Sequence, residues 1–151
     1  MLRIILIITL TTCIANAESL SFATYPHNSI EKIEKAYTPL AEYLSEKSGH
    51  NINFIVTKDY SEIEDRLVNG TIDLAWIGSS SYISAAQRII GLKYIATYME
   101  KSANNRTTPY YHSYIIADAD YPAETLSDLR GELFAFTDRN STSGYAVPMV
   151  M

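Results

Sequence analysis

The sequence has 151 residues, of which 47% are hydrophobic and 19% charged, and its net charge is -5. Those proportions describe one ordinary globular domain and exclude a disordered or repetitive chain. The acidic balance excludes a general nucleic-acid surface, so any anion site must be local, and the lone cysteine, Cys13, has no partner for an internal disulfide.

The chain opens as an export signal: Arg3, the apolar run Ile4 to Leu10, polar Thr11 and Thr12, and the small-x-small site Ala15-Asn16-Ala17. A membrane-spanning helix is the competing reading, but the run is shorter than the roughly 20 residues a bilayer requires. Cleavage after Ala17 removes Cys13 and Arg3 and leaves a mature chain without cysteine, carrying a charge of -6 against the full chain's -5. Lipid attachment at Cys13 is the alternative, with Leu10 suitably placed but Thr12 bulkier than the residue that usually precedes a lipidated cysteine.

Beyond the signal, Leu20 and Phe22 alternate as a strand, which ends at Tyr25-Pro26. Asn28 and Glu31 form a capping pair for a helix whose stripe is Ile30, Ile33, Tyr37, Leu40, Ala41 and Leu44, with Pro39 expected to kink or divide it. Gly49 closes it, and Ile52, Phe54 and Val56 form a second strand. Asp59 caps a helix carrying Ile63 and Leu67, which Asn69-Gly70 ends. Ile72, Leu74 and Trp76 form a third strand, running into Gly78 and the serines Ser79, Ser80 and Ser81. A helix from about Tyr82 to Ile90 follows, with Ile83, Ala86 and Ile90 on one face, and then a fourth strand, Leu92 to Tyr98. This strand-helix alternation predicts an α/β fold with a mainly parallel sheet and crossover helices. Glu100 to Pro109 reads as a surface loop, Tyr114 to Ala117 and Leu133 to Phe136 as short strands, and Leu126 to Leu129 as a helical turn. Ala146 to Met151 starts a helix with little after it to pack against, so the chain is expected to be part of a longer protein.

The segment Asp138-Arg139-Asn140-Ser141-Thr142-Ser143-Gly144 places hydroxyls at a strand-to-helix junction, where free backbone N-H groups and the helix dipole favour anions. Its alternative is a capping cluster in a solvated turn. The triple serine before Tyr82 repeats the pattern, and two such turns facing each other would make an oxyanion pocket. Tyr25, Tyr60, Tyr82, Tyr110 and Tyr111 fall where loops should meet, each either a hydroxyl donor with a stacking face or a packing residue. His27 and His112 lack partners at metal-ligand spacing, so no metal or other cofactor is expected. Asp73 and Asp138 read as backbone-orienting groups. A serine nucleophile at Ser80, Ser81 or Ser143 lacks a Gly-x-Ser-x-Gly elbow, and no catalytic residue is assigned.

The chain resembles the phosphate/phosphite/phosphonate-binding proteins of bacterial ABC importers, within the type II periplasmic binding proteins. The likeness runs from Leu20 to Pro148. It rests on Pro39-Leu40 with Tyr43-Leu44, Asp59-Tyr60, Gly70 to Gly78 with Asp73-Leu74-Ala75-Trp76, Tyr82, Tyr111 with Ser113, Leu126 to Gly131, and Asp138 to Gly144 followed by Pro148.

The resemblance implies a two-lobed clamp. Residues 1–17 are then the signal peptide, 18–117 the first lobe, and 118–151 the hinge and the start of a second lobe. Ser141, Thr142 and Ser143 are expected to hold a phosphorus oxyanion and Tyr60 and Tyr111 to close over it, with Tyr82 and Ser113 completing the ligand-binding set. Further acidic and histidine contacts come from later in the second lobe. The implied role is capture in the periplasm for an inner-membrane ABC permease, without nucleic acid or cofactor. The alternatives are a sensor domain of a membrane histidine kinase and a serine hydrolase. The chain departs from the family in having Gly78-Ser79 where Gly-Pro is frequent. Intact-mass analysis of the exported protein should show a chain beginning at Glu18; a lipidated Cys13 at the N-terminus would contradict this.

Overall fold

A computed structural model describes residues 19–102 and 104–151; the export segment and Cys13 lie outside the described residues. Its centre is a parallel sheet of three strands in the order β2-β1-β3. β1 is Ser19–Thr24, β2 Asn51–Val56 and β3 Leu74–Trp76, joined by α1 (Ile30–Ser48) and α2 (Tyr60–Val68), with α3 (Ser79–Arg88) following β3. The fold is α/β, as the alternation required.

Both faces of the sheet are covered, and the strand period of two sorts the side chains between them. Leu20, Phe22, Ile52, Phe54, Leu74 and Trp76 pack with Ala41, Tyr37, Leu40 and Leu44 of α1. Ala23, Ile55, Ala75 and Ile77 turn the other way and pack with Ile63 and Leu67 of α2. Ile72 belongs to this second cluster, not to the Leu74 and Trp76 face that plain alternation gives it, because the β3 ladder begins only at Leu74.

α1 runs unbroken through Pro39, where a kink or break was expected. Pro39 and Lys35, whose carbonyl loses its helical partner, are both exposed, so the break in the hydrogen-bond ladder lies on the solvent side of the helix. Asn28 does not cap α1 with Glu31; the N-cap is Ser29, and Asn28 Oδ1 instead accepts the Ser29 N-H at 2.9 Å. Gly49 ends α1 at φ 73°, a left-handed conformation that glycine adopts freely. Asp59 caps α2 as expected, Oδ1 accepting the Glu62 N-H at 2.8 Å, while Glu62 Oε2 accepts the Lys58 N-H at 2.7 Å.

α3 departs most from the expectation. It begins at Ser79, so the serines form its first turn instead of preceding it. Its buried face is Ser81 and Ala85, while Ile83 and Ile90 are exposed. Small residues let α3 lie close to α2, and buried Glu64 of α2 accepts the Ser84 hydroxyl at 2.7 Å.

Beyond α3, the strands expected at Leu92 to Tyr98, Tyr114 to Ala117 and Leu133 to Phe136 are not formed: these segments have no regular structure and join no sheet among the described residues. Alternating apolar residues favour an extended chain without supplying a neighbour for its backbone. Glu100 to Pro109 contains a small antiparallel hairpin, β4 (Glu100–Lys101) with β5 (Thr107–Thr108), turning at Asn105 with φ 61°. Leu126–Leu129 is a 3-10 turn capped by Thr125 and Asp128. Among the described residues, no helix is long and apolar enough to cross a membrane.

Asp73 locks β3 to β1. Its Oδ2 accepts both the backbone N-H and the hydroxyl of Ser21 at 2.8 Å, and those bonds hold its carboxyl below the usual range. A depressed carboxyl stabilises the fold fully above its unfolded pKa and loses that effect as pH falls through the lower folded value. Asp73→Asn should therefore melt below the parent at pH 7, with the gap closing as acid protonates the parent's carboxyl below about pH 4. Ile63→Ala, which truncates a side chain with 0% exposure, should cost about 2–5 kcal/mol in denaturant unfolding.

Candidate functional site

The sheet and α3 direct several loops to one end of the molecule. β1 delivers Tyr25, β3 delivers Gly78 and the start of α3, and α2 begins at Tyr60 beside them. The Asp138 to Gly144 segment folds back onto this end. Asp138 orients the turn, its Oδ1 accepting the Asn140 N-H at 2.8 Å and its carbonyl accepting the Ser141 N-H at 2.9 Å.

Thr142–Ala146 is a single π-type turn, with Ala146 N-H donating to Ser141 O at 3.1 Å and Val147 N-H to Thr142 O at 2.9 Å. Such turns recur at functional sites. Ser141 is its N-cap, buried to 8% exposure, with Oγ accepting the Gly144 N-H at 3.1 Å.

The two hydroxyl-bearing turns meet. Ser80 N-H, one of the donors that the first turn of α3 leaves without a helical acceptor, gives its hydrogen bond to Thr142 Oγ1 at 2.9 Å. Having accepted that bond, Thr142 keeps its own hydroxyl hydrogen to donate. Ser113 donates its hydroxyl to Ser143 O at 2.6 Å, so Ser113 holds the turn and its hydrogen is not offered to a ligand. Asn140 Nδ2 reaches Ser61 Oγ at 3.4 Å.

Between these parts lies an open cleft of about 450 Å³ lined by Ser79, Tyr110, Tyr111, Ser113, Thr142 and Ser143, with His112 and Val147 also on its walls. No lysine or arginine is among the lining residues. The residues expected to contact ligand therefore divide. Tyr111, Ser113, Thr142 and Ser143 line the cleft, whereas Ser141, which caps the turn, and Tyr60, stacked on Tyr25 with ring centres 3.7 Å apart, are not among its lining residues. Tyr82 is not brought to this wall; its ring meets Tyr94 edge-on at 6.2 Å.

His27 is edge-on to Tyr25 and Tyr37, and His112 packs between Tyr110 and Tyr114. Among the described residues, no three His, Cys, Asp or Glu side chains converge as a metal site would require.

Over residues 22–151 the sequence matches the family described as ABC transporter, phosphonate, periplasmic substrate-binding protein. The chain belongs to this family.

Relatives of this phosphonate-binding family include the phosphonates-binding periplasmic protein of Escherichia coli, 30% identical over 135 residues. The phosphate-import protein PhnD of Mycolicibacterium smegmatis is 27% identical over 139 residues. These alignments take in 87% and 91% of this chain but 38% and 42% of the relatives, so the chain spans about two-fifths of their length. The binding-protein component of an ABC phosphonate transporter from Pseudomonas aeruginosa has a similar fold, with a TM-score of 0.68 at 24% identity over 88% of this chain and 44% of that one. The family is one of transport-binding proteins.

Sequence reasoning marked Tyr25 only as one of several loop tyrosines, yet it is among the most constrained. Burial pushes its phenol well above the ordinary range, and the neighbouring Tyr60 phenol pushes it further. Gly144 is constrained too, since a β-carbon there would overlap the Thr137 side chain. Gly144→Ala should open the turn, seen as faster hydrogen exchange at the residue 144 amide, and a second change, Thr137→Gly, should restore protection.

Proposed function

We propose that the protein captures a small phosphorus oxyanion, such as phosphonate, phosphite or phosphate, in the periplasm for delivery to an ABC permease of the inner membrane. The observation that carries this reading is the direct junction of two hydroxyl-rich turns, Ser80 on Thr142, at the wall of an open cleft. Family membership and the printed names of the relatives supply the ligand class.

The donors suit a tetrahedral anion. Thr142 and Ser143 offer hydroxyls, and Tyr110 and Tyr111 offer phenols from the facing segment. Hydrogen bonds to an ionised acceptor are about twice as strong as neutral ones, so several of them offset desolvation without a cationic side chain.

The cleft is open on one side, with Tyr111 half-exposed. In the two-lobed arrangement, residues 18–117 form the first lobe, 118–125 lead through the hinge, and the rest up to Met151 starts the second lobe. Ligand touching both lobes binds the closed form better than the open one and thereby populates it, and the closed form is what a permease distinguishes. The import role is favoured over a kinase sensor by the relatives, whose names are those of an import protein and a periplasmic binding protein.

Isothermal titration of the protein as its gene encodes it, against phosphate, phosphite, methylphosphonate and 2-aminoethylphosphonate with sulfate as control, tests the reading. Micromolar or tighter binding of one phosphorus compound is expected, weakened roughly tenfold or more by Ser143→Ala through loss of a charge-assisted hydrogen bond. Failure of every phosphorus compound to bind the folded protein would overturn the assignment.

A further inference from the structure

Tyr25 sits at the end of β1, where three elements of the cleft converge. One face of its ring stacks on Tyr60 at 3.7 Å and 21°, and the edge of the His27 ring approaches it at 6.0 Å. Its hydroxyl lies 3.0 Å from the position a β-carbon would occupy on Gly78, and Thr142 Oγ1 lies 3.5 Å from that same point. The phenol therefore reaches the place where the α3 turn and the Thr142 turn meet. Tyr111, across the cleft, is near enough to raise its proton affinity.

A tyrosine used only as filler has no need of a glycine opposite its hydroxyl. Here Gly78 leaves the space that the hydroxyl occupies, and a methyl group there would be pressed against it. A near-parallel ring stack also fixes the plane of Tyr60, which α2 alone does not, because Tyr60 is the first residue of that helix.

We infer that Tyr25 is a positioning residue of the anion cleft: its ring sets the orientation of Tyr60 and its hydroxyl sets the Gly78 turn against Thr142. This role rests on the phosphorus-binding reading and deepens it. Tyr25 does not hold the anion itself; its hydroxyl supports the junction of the Gly78 and Thr142 turns, and its ring fixes the Tyr60 ring beside that junction.

The test is a double-mutant cycle on the affinity for the tightest-binding phosphorus compound, using the protein as its gene encodes it. Tyr25→Leu should lower affinity about tenfold, which is about 1.4 kcal/mol, and Tyr25→Phe, which keeps the stack but loses the hydroxyl, should recover only part of the loss. Combining Tyr25→Leu with Tyr60→Leu should cost less than the two single losses multiplied, because the part of the first residue's effect carried by its ring runs through the second. A filler role would lower the melting temperature but give losses of affinity that multiply, and that result, or unchanged affinity in Tyr25→Leu, would overturn the inference. If Tyr25→Leu does not fold, Gly78→Ala serves in its place: weakened binding that Tyr25→Phe relieves supports the role, and binding equal to the parent's opposes it. Absence of phosphorus binding by the unmodified protein overturns the functional reading and this role with it, whereas normal parent binding with inert Tyr25 variants overturns only the role.

Discussion

The cleft depends on β1 being paired along both of its edges. β1 takes β2 on one side and β3 on the other, and two sets of side-chain bonds fix the register. Asp73 grips Ser21 at one end, and at the other Thr24 donates its hydroxyl to Trp76 O at 3.1 Å while its carbonyl accepts the Thr57 N-H at 2.8 Å. A slip of one residue would exchange Phe22 with Ala23 between two differently shaped halves of the core. The core thus resists any shift of the strand end that carries Tyr25, Thr57 and Gly78 to the cleft.

From that frame follows a site built of neutral groups. The first turn of α3 has N-H groups with no helical acceptor, and Thr142 arrives from 62 residues away to take one of them. Having accepted that bond, the Thr142 hydroxyl keeps its own hydrogen to donate. Ser113 and Ser141 are spent on holding the turn, through Ser143 O and the Gly144 N-H respectively. Under the proposed function, recognition at this wall rests on the number and direction of neutral donors, since no lysine or arginine is among the residues lining the cleft.

How much of this was legible in the sequence follows from which signals are local. The strand faces of Phe22, Ile52 and Leu74 and the cap at Asp59 were readable because period and capping are properties of neighbouring residues. The hydroxyls of Ser141 to Ser143 were readable from residue type, but not their setting, since Leu133 to Phe136 forms no strand and Thr142–Ala146 is a single π-type turn in place of the start of a helix. The buried face of α3 was not, because apolarity pointed to Ile83 and Ile90 while close packing on α2 selected Ser81 and Ala85. Nor was the division among the expected contacts: nothing within a few residues of Tyr82 shows that its ring turns to Tyr94, or that Tyr25 rather than the cleft receives the face of Tyr60. Those outcomes depend on contacts between residues far apart in the chain.

The central claim is a location: a phosphorus oxyanion held between the start of α3 and the Thr142 turn. The most direct measurement is a crystal structure of the protein, as its gene encodes it, grown with a saturating phosphorus ligand. The account predicts phosphorus density with oxygens within hydrogen-bonding distance of the Thr142 and Ser143 hydroxyls and the Tyr111 phenol. Density for the ligand at a place touching neither Thr142 nor Ser143 would contradict it.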